Sequence, residues 1–151
     1  MCKHRQPRTS LNLRRGNSLI EFSLLMPWYV FLFVGALDFG FYSYSLISLE
    51  DGVRVAALNA SRSSSLASDS GSACTYVLGS IKNLPNIGTT VLTCSAAPVT
   101  VTASYGATSG PDGGPSTTVT AIYVTPQMVP IPGLLAGQLT ITRSVQMRVR
   151  S

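Results

Sequence analysis

From Leu19 to Leu37 the chain reads LIEFSLLMPWYVFLFVGAL, an apolar run whose only charge is Glu21. Its length is close to the roughly 20 residues that cross a bilayer as a helix. Beyond Asp38, Leu46, Leu49, Val53, Ala56, Ala57 and Ala60 recur at spacings of three and four, with Glu50, Asp51, Arg54 and Asn59 on other faces. The pattern predicts one helix over 17–60, about 40 residues and roughly 60 Å long, spanning the bilayer at about 19–37 and standing above it. The Ser, Ala, Asp and Gly stretch 61–72 breaks the periodicity and is expected to be a connector. Cys74 to Leu84 is expected to form a short second helix that Pro85-Asn86 stops.

The rest of the chain, within an expected β-rich domain over 73–151, has the period of strands. Val99 to Tyr105 alternates, Ser109 to Pro115 is a Gly/Pro-rich loop, and Val119 to Val124 resumes. In the last segment Leu139, Ile141, Val145, Met147 and Val149 share one side, with Arg143 the sole charge among them, either a core ion pair or a sheet-edge charge. Three antiparallel strands on the upper half of the long helix would make an α+β unit. Between the last two strands, the apolar, proline-rich loop 126–135 is either a lid on the sheet core or an exposed contact for a partner subunit or the outer membrane leaflet.

Charge changes the picture through its placement. The net charge is +5, but Lys3, Arg5, Arg8, Arg14 and Arg15 all precede Asn17, and from there on six basic residues meet six acidic ones. The body is neutral, so nucleic acid is not expected as a partner. The leader's cations also put the N-terminus in the cytoplasm and the C-terminal body outside. Scarce charge and abundant Ser, Thr and Gly suit an envelope protein better than a cytosolic enzyme. Cys74 and Cys94 flank a loop-rich segment and are read as one disulfide, the alternative being two unrelated buried thiols.

Candidate chemistry is sparse. The only histidine, His4, lies in the leader, the carboxylates are dispersed, no Cys/His cluster has metal-ligand spacing, and the serines lack a base. No catalytic residue, metal or cofactor is expected. Three processing readings compete at the N-terminus: secretory cleavage after Val34-Gly35-Ala36, against which Pro27 and Glu21 interrupt what should be a compact apolar core; a twin-arginine signal at Arg14-Arg15, where the pair abuts Gly16 with no supporting pattern; and cytoplasmic cleavage between Gly16 and Asn17, which leaves the apolar run as the new N-terminus. Pro27 removes one helical hydrogen bond, either as a useful kink or as a tolerated one. Trp28, Tyr29 and the group Phe39, Phe41, Tyr42 and Tyr44 are either membrane-interface anchors or packing surface, the second group fitting an aromatic belt at the outer boundary better.

Gly16 followed by Asn17-Ser18-Leu19-Ile20-Glu21 resembles the processing site of type IV prepilins and pseudopilins. Glu21-Phe22, Pro27, the group Asp38, Phe39 and Gly40, and Leu49 to Ala57 extend the likeness to the TadE-like proteins of tight-adherence (Flp) pilus systems, from about Arg14 to Ala60. The resemblance implies a pilin-like fold, cutting by a prepilin peptidase, a place in the bacterial inner membrane with a periplasmic C-terminal domain, and other pilin-like subunits and inner-membrane assembly proteins as partners. It also implies a role for Glu21, pairing with the α-amino group of a neighbouring subunit as helices assemble. Otherwise Glu21 is a shallow charge reaching headgroup water. Flp major pilins are very short, so the roughly 90 residues after the helix point to a minor pilin or pseudopilin. The competing reading is a membrane-anchored or secreted β-rich binding domain, with the apolar run only an anchor or signal.

Overall fold

In a computed structural model, residues 15–88, 93–126 and 137–150 are described. The leader up to Arg14 and residues 127–136 of the proline-rich loop lie outside that set. Helix α1 (Arg15–Ala60) carries Pro27 within it, and α2 covers Ser70–Ile81. The strands are β1 (Ser95–Ala96), β2 (Val99–Gly106), β3 (Ser116–Val124) and β4 (Thr140–Arg148). The chain divides into two compact units, one ending at Leu37 and one running from Asp38 onward.

The second unit is an α+β body with a single antiparallel sheet in the order β1-β2-β3-β4. The sheet therefore has four strands and not the expected three. The extra one, β1, is two residues long and pairs Ser95 with Thr100 and Ala96 with Val99. It is too short to carry an alternation and exists because Ala97-Pro98 turns the chain back on β2. The three longer strands follow the expected order, with Val101 opposite Ala121 and Val119 opposite Val145.

The core lies between this sheet and the helices. Leu49, Val53, Ala56 and Ala57 of α1 and Val77 and Ile81 of α2 are fully buried with Val99, Val119, Ala121 and Tyr123. The small residues on α1 let α2 come close. At Gly52 an added Cβ would lie 3.1 Å from Ser80 Cβ and 3.3 Å from the Val77 backbone. The disulfide Cys74–Cys94, across 20 residues, ties α2 to the segment entering β1.

Polar groups pin the connections. Asp69 caps α2: its carboxylate accepts from the N–H groups of Gly71 (2.9 Å) and Ser72 (3.2 Å) and from the Ser72 hydroxyl (2.6 Å). The hydroxyl bond first, then the two backbone bonds, hold Asp69 below its ordinary pKa. Because of this cap α2 begins at Ser70, inside the stretch expected to be a connector, and it ends at Ile81 rather than Leu84. The buried Thr117 hydroxyl donates to Ala67 O at 2.7 Å. The Tyr123 hydroxyl lies 3.1 Å from both Pro85 O and Asn86 Oδ1, and its burial pushes its pKa up to about 12. Asn86 turns the chain at φ 61, a conformation its short amide side chain tolerates.

Candidate functional site: the N-terminal helix

The candidate site is α1 itself. Gly16 and Asn17 fall in its first turn. From Leu19 to Leu37 nearly every large apolar side chain is turned outward, and Leu24 is 77% exposed. Among the described residues α1 is the one helix long and apolar enough to cross a membrane. In water such a surface would be untenable; in lipid it is matched to its surroundings.

Glu21 sits exposed on this surface between Ile20 and Phe22, which are exposed as well. The next turn is short of backbone bonds. Pro27 has no N–H, so the carbonyl four residues back, at Ser23, loses its helical donor. The Ser23 hydroxyl meanwhile donates to Ile20 O at 2.9 Å. Such back-bonding competes with the helical ladder. The carboxylate and the weakened turn thus lie within two turns of each other. Ser23 was not singled out in the sequence, although a serine four residues before a proline in a membrane helix is a readable signal. Trp28 and Phe31, one turn apart, stack with ring centroids 6.0 Å apart.

In the second unit α1 changes character. Asp38 is half-buried, and its Oδ2 has no hydrogen-bond partner among the described residues. Phe39 is exposed, and Gly40 has open space about it. The aromatic group divides: Tyr42 packs against the core while Tyr44 stays exposed. Within the stretch Leu49 to Ala57, Leu49, Gly52, Val53, Ala56 and Ala57 face the core and Glu50, Asp51 and Arg54 face out. The pattern there is largely a helix-packing surface. Glu50 Oε2 lies 3.8 Å from Arg143 Nε, so the charge on the apolar side of β4 pairs with α1 at the sheet rim. That pair is partly open to solvent and just beyond hydrogen-bond reach.

The structure thus brings Cys74 to Cys94 and Arg143 to Glu50, while Glu21, Pro27 and Asp38 follow one another along α1 without converging on a pocket. One depression of 450 Å³ beside the disulfide is lined by Ser70, Thr75, Thr93, Thr100 and Thr102 among others, with no ionisable side chain among the described residues.

No curated protein and no solved structure shows a significant match to the chain. One family model does, that of the TadE-like protein family, over residues 16–58. The matched region is α1 almost from end to end, including Glu21, Pro27, the Asp38-Phe39-Gly40 group and the packing stretch around Gly52. Over this helix the chain is similar to the TadE-like protein family.

Proposed function

We propose that the chain is a structural subunit, a minor pilin or pseudopilin, of a Flp-type pilus or a related secretion apparatus. It is made as a precursor, inserted with its N-terminus in the cytoplasm, and cut by a prepilin peptidase between Gly16 and Asn17. Its partners are other pilin-like subunits and inner-membrane pilus assembly proteins, and the α+β body lies on the periplasmic side. It acts by packing and not by catalysis.

The observation that carries this reading is the outward apolar surface of α1 with Glu21 five residues after Gly16, in a segment that is TadE-like. Cutting at Gly16 frees an α-amino group at Asn17, four residues and about one turn from Glu21. A carboxylate in lipid costs several kcal/mol unless it is paired. Pairing with the new amine of a neighbouring helix removes that cost as lipid is exchanged for protein, which sets the register of assembly. The weakened turn at Ser23 and Pro27 lets α1 adjust as it leaves the bilayer.

Intact mass and N-terminal sequencing of the membrane-extracted protein from its native host test the processing step. A chain beginning at Asn17 is expected. One beginning at Leu37 would point to a secretory signal, and an uncut chain to a simple anchor. Glu21→Ala tests the assembly step: the variant is expected to insert and to be cut, yet to lose co-isolation with other pilus subunits. Unimpaired assembly would overturn the role given to Glu21.

A further inference from the structure

The two edges of the sheet are not equivalent. Thr125 donates its N–H to Leu139 O and Val149 donates to Pro115 O, so the odd-numbered residues of β4 exchange bonds with β3. The N–H and C=O groups of Thr142, Ser144, Gln146 and Arg148 consequently point away from the sheet. At the opposite edge the bond from Val124 N–H to Pro98 O turns the odd-numbered residues of β2 outward. There Val101 donates to Cys94 O, Ala103 donates to the Ser70 hydroxyl, and β1 pairs with the first residues. The β2 edge is therefore largely occupied. Along β4, among the described residues, Arg150 N–H reaches Ser61 O at 2.9 Å and the Thr142 carbonyl accepts from Arg143 Nη1 at 3.3 Å. The outward N–H groups between those points have no partner among the described residues, and β4 contains no proline to discourage another strand.

Cations gather along this same edge. Arg143 and Arg148 lie on β4, and Arg150 follows it. Glu50 of α1 meets Arg143, and Ser61, just past the end of α1, meets Arg150, so the stretch 50–61 touches β4 near both of its ends. Arg54, one turn on from Glu50, lies on that stretch, and Arg62 follows Ser61. Arg143 pairs with Glu50, and Arg148 with Asp112 at 2.7 Å. Arg54, Arg62 and Arg150 have no ion-pair partner among the described residues. A depression of 690 Å³, lined by Ser61, Pro115, Met147, Arg148, Val149 and Arg150, lies at the far end.

We propose that the free edge of β4 takes up an extended acidic segment of a partner protein as a fifth strand. The segment's backbone satisfies the outward groups of Thr142 to Arg148, its carboxylates face Arg54, Arg62 and Arg150, and a side chain at its end enters the depression. A second copy adding its own β4 would set these arginines against themselves, which disfavours it. The proposal is independent of the role given to Glu21.

The test uses the full chain in detergent micelles with two labelled, capped peptides, (Glu-Val)4 and (Lys-Val)4, followed by fluorescence anisotropy and hydrogen exchange. The acidic peptide is expected to bind and the basic one not, with exchange over 140–148 slowed on binding. The double change Arg54→Glu and Arg150→Glu is expected to weaken binding by about tenfold or more. Ser144→Pro blocks an incoming strand without removing a ladder bond, and is expected to abolish binding while thermal unfolding stays cooperative. Failure of (Glu-Val)4 to bind, equal binding of both peptides, or protection outside β4 would overturn the proposal. So would β4 protection without peptide in a chain that sediments as a dimer, since the occupant would then be a second copy.

Discussion

Asp69 is exposed enough to titrate freely and is held by three hydrogen bonds, so its protonation state governs how well α2 starts. Its folded pKa is depressed below the ordinary value of 3.8, chiefly by the Ser72 hydroxyl. A depressed carboxylate stabilises the fold above its unfolded pKa and ceases to do so as pH falls through the folded one. Asp69→Ala is therefore expected to be less stable than the parent at neutral pH, with the gap narrowing on acidification below about 4. Denaturant titrations of both proteins across that range check this, and a gap that does not change with pH would mean the carboxylate is not what caps the helix. Gly52 carries a different constraint, one of space. Gly52→Ala gains up to about 1 kcal/mol of helix propensity, but the new methyl meets Ser80 and the Val77 backbone. Gly52→Val is expected to cost about 1–3 kcal/mol. Gly40→Ala, in open space on the same helix, is expected to cost nothing. If the two glycines respond alike in denaturation, close helix packing is not why position 52 is glycine.

At the scale of elements, the disulfide does what the short sheet cannot do alone, joining α2 to the strand that covers the β2 edge. The loop it closes, spanning 20 residues, is worth about 3 kcal/mol in the chain-entropy model. Replacing Cys74 and Cys94 together by serine is expected to lower the unfolding free energy by about that amount, and a loss well under 1 kcal/mol would mean that α2 holds its place without the link. The elements legible in the sequence were those with many repeats of one period: α1 from its apolar run and the three- and four-residue spacing above it, and β2 and β4 from alternation. β3 was legible only from Val119. Its first residues, Ser116 and Thr117, are polar yet buried, because Thr117 bonds Ala67 from the connector. The start of α2 was hidden for a similar reason, since Asp69-Ser70-Gly71-Ser72 has the composition of a loop and only the bonds to Asp69 make it a helix cap. β1 has too few residues for any pattern. Of the candidate site, the order of Gly16, Glu21 and Pro27 along one helix was readable, whereas the pairing of Arg143 with Glu50 and the open edge of β4 depend on register.

For the whole molecule, the division at Leu37 separates two solutions to the same problem of apolar surface. Residues from Leu19 to Leu37 leave theirs outward. Residues from Asp38 onward fold theirs inward, and every fully buried side chain of the core belongs to this second unit. Exposed apolar side chains are not absent from it, since Phe39, Tyr44, Ile47 and Leu58 remain outward on α1, but they alternate with Glu50, Asp51 and Arg54. A unit that contains its own core, a disulfide and a sheet paired throughout its interior has what a domain needs to fold alone. A chain lacking residues 1–37 is accordingly expected to be obtained without detergent and to unfold in one cooperative transition. It is also expected to keep the slow amide exchange of β2 and β3. Only the full-length chain should need lipid or detergent. Circular dichroism, thermal unfolding and hydrogen exchange on the shortened chain check this together. A shortened chain that is molten or aggregates would mean that the apolar half of α1 supports the body as well as anchoring it. The two jobs assigned to that helix, holding the subunit in the bilayer and packing it into an assembly, would then no longer be separable from folding.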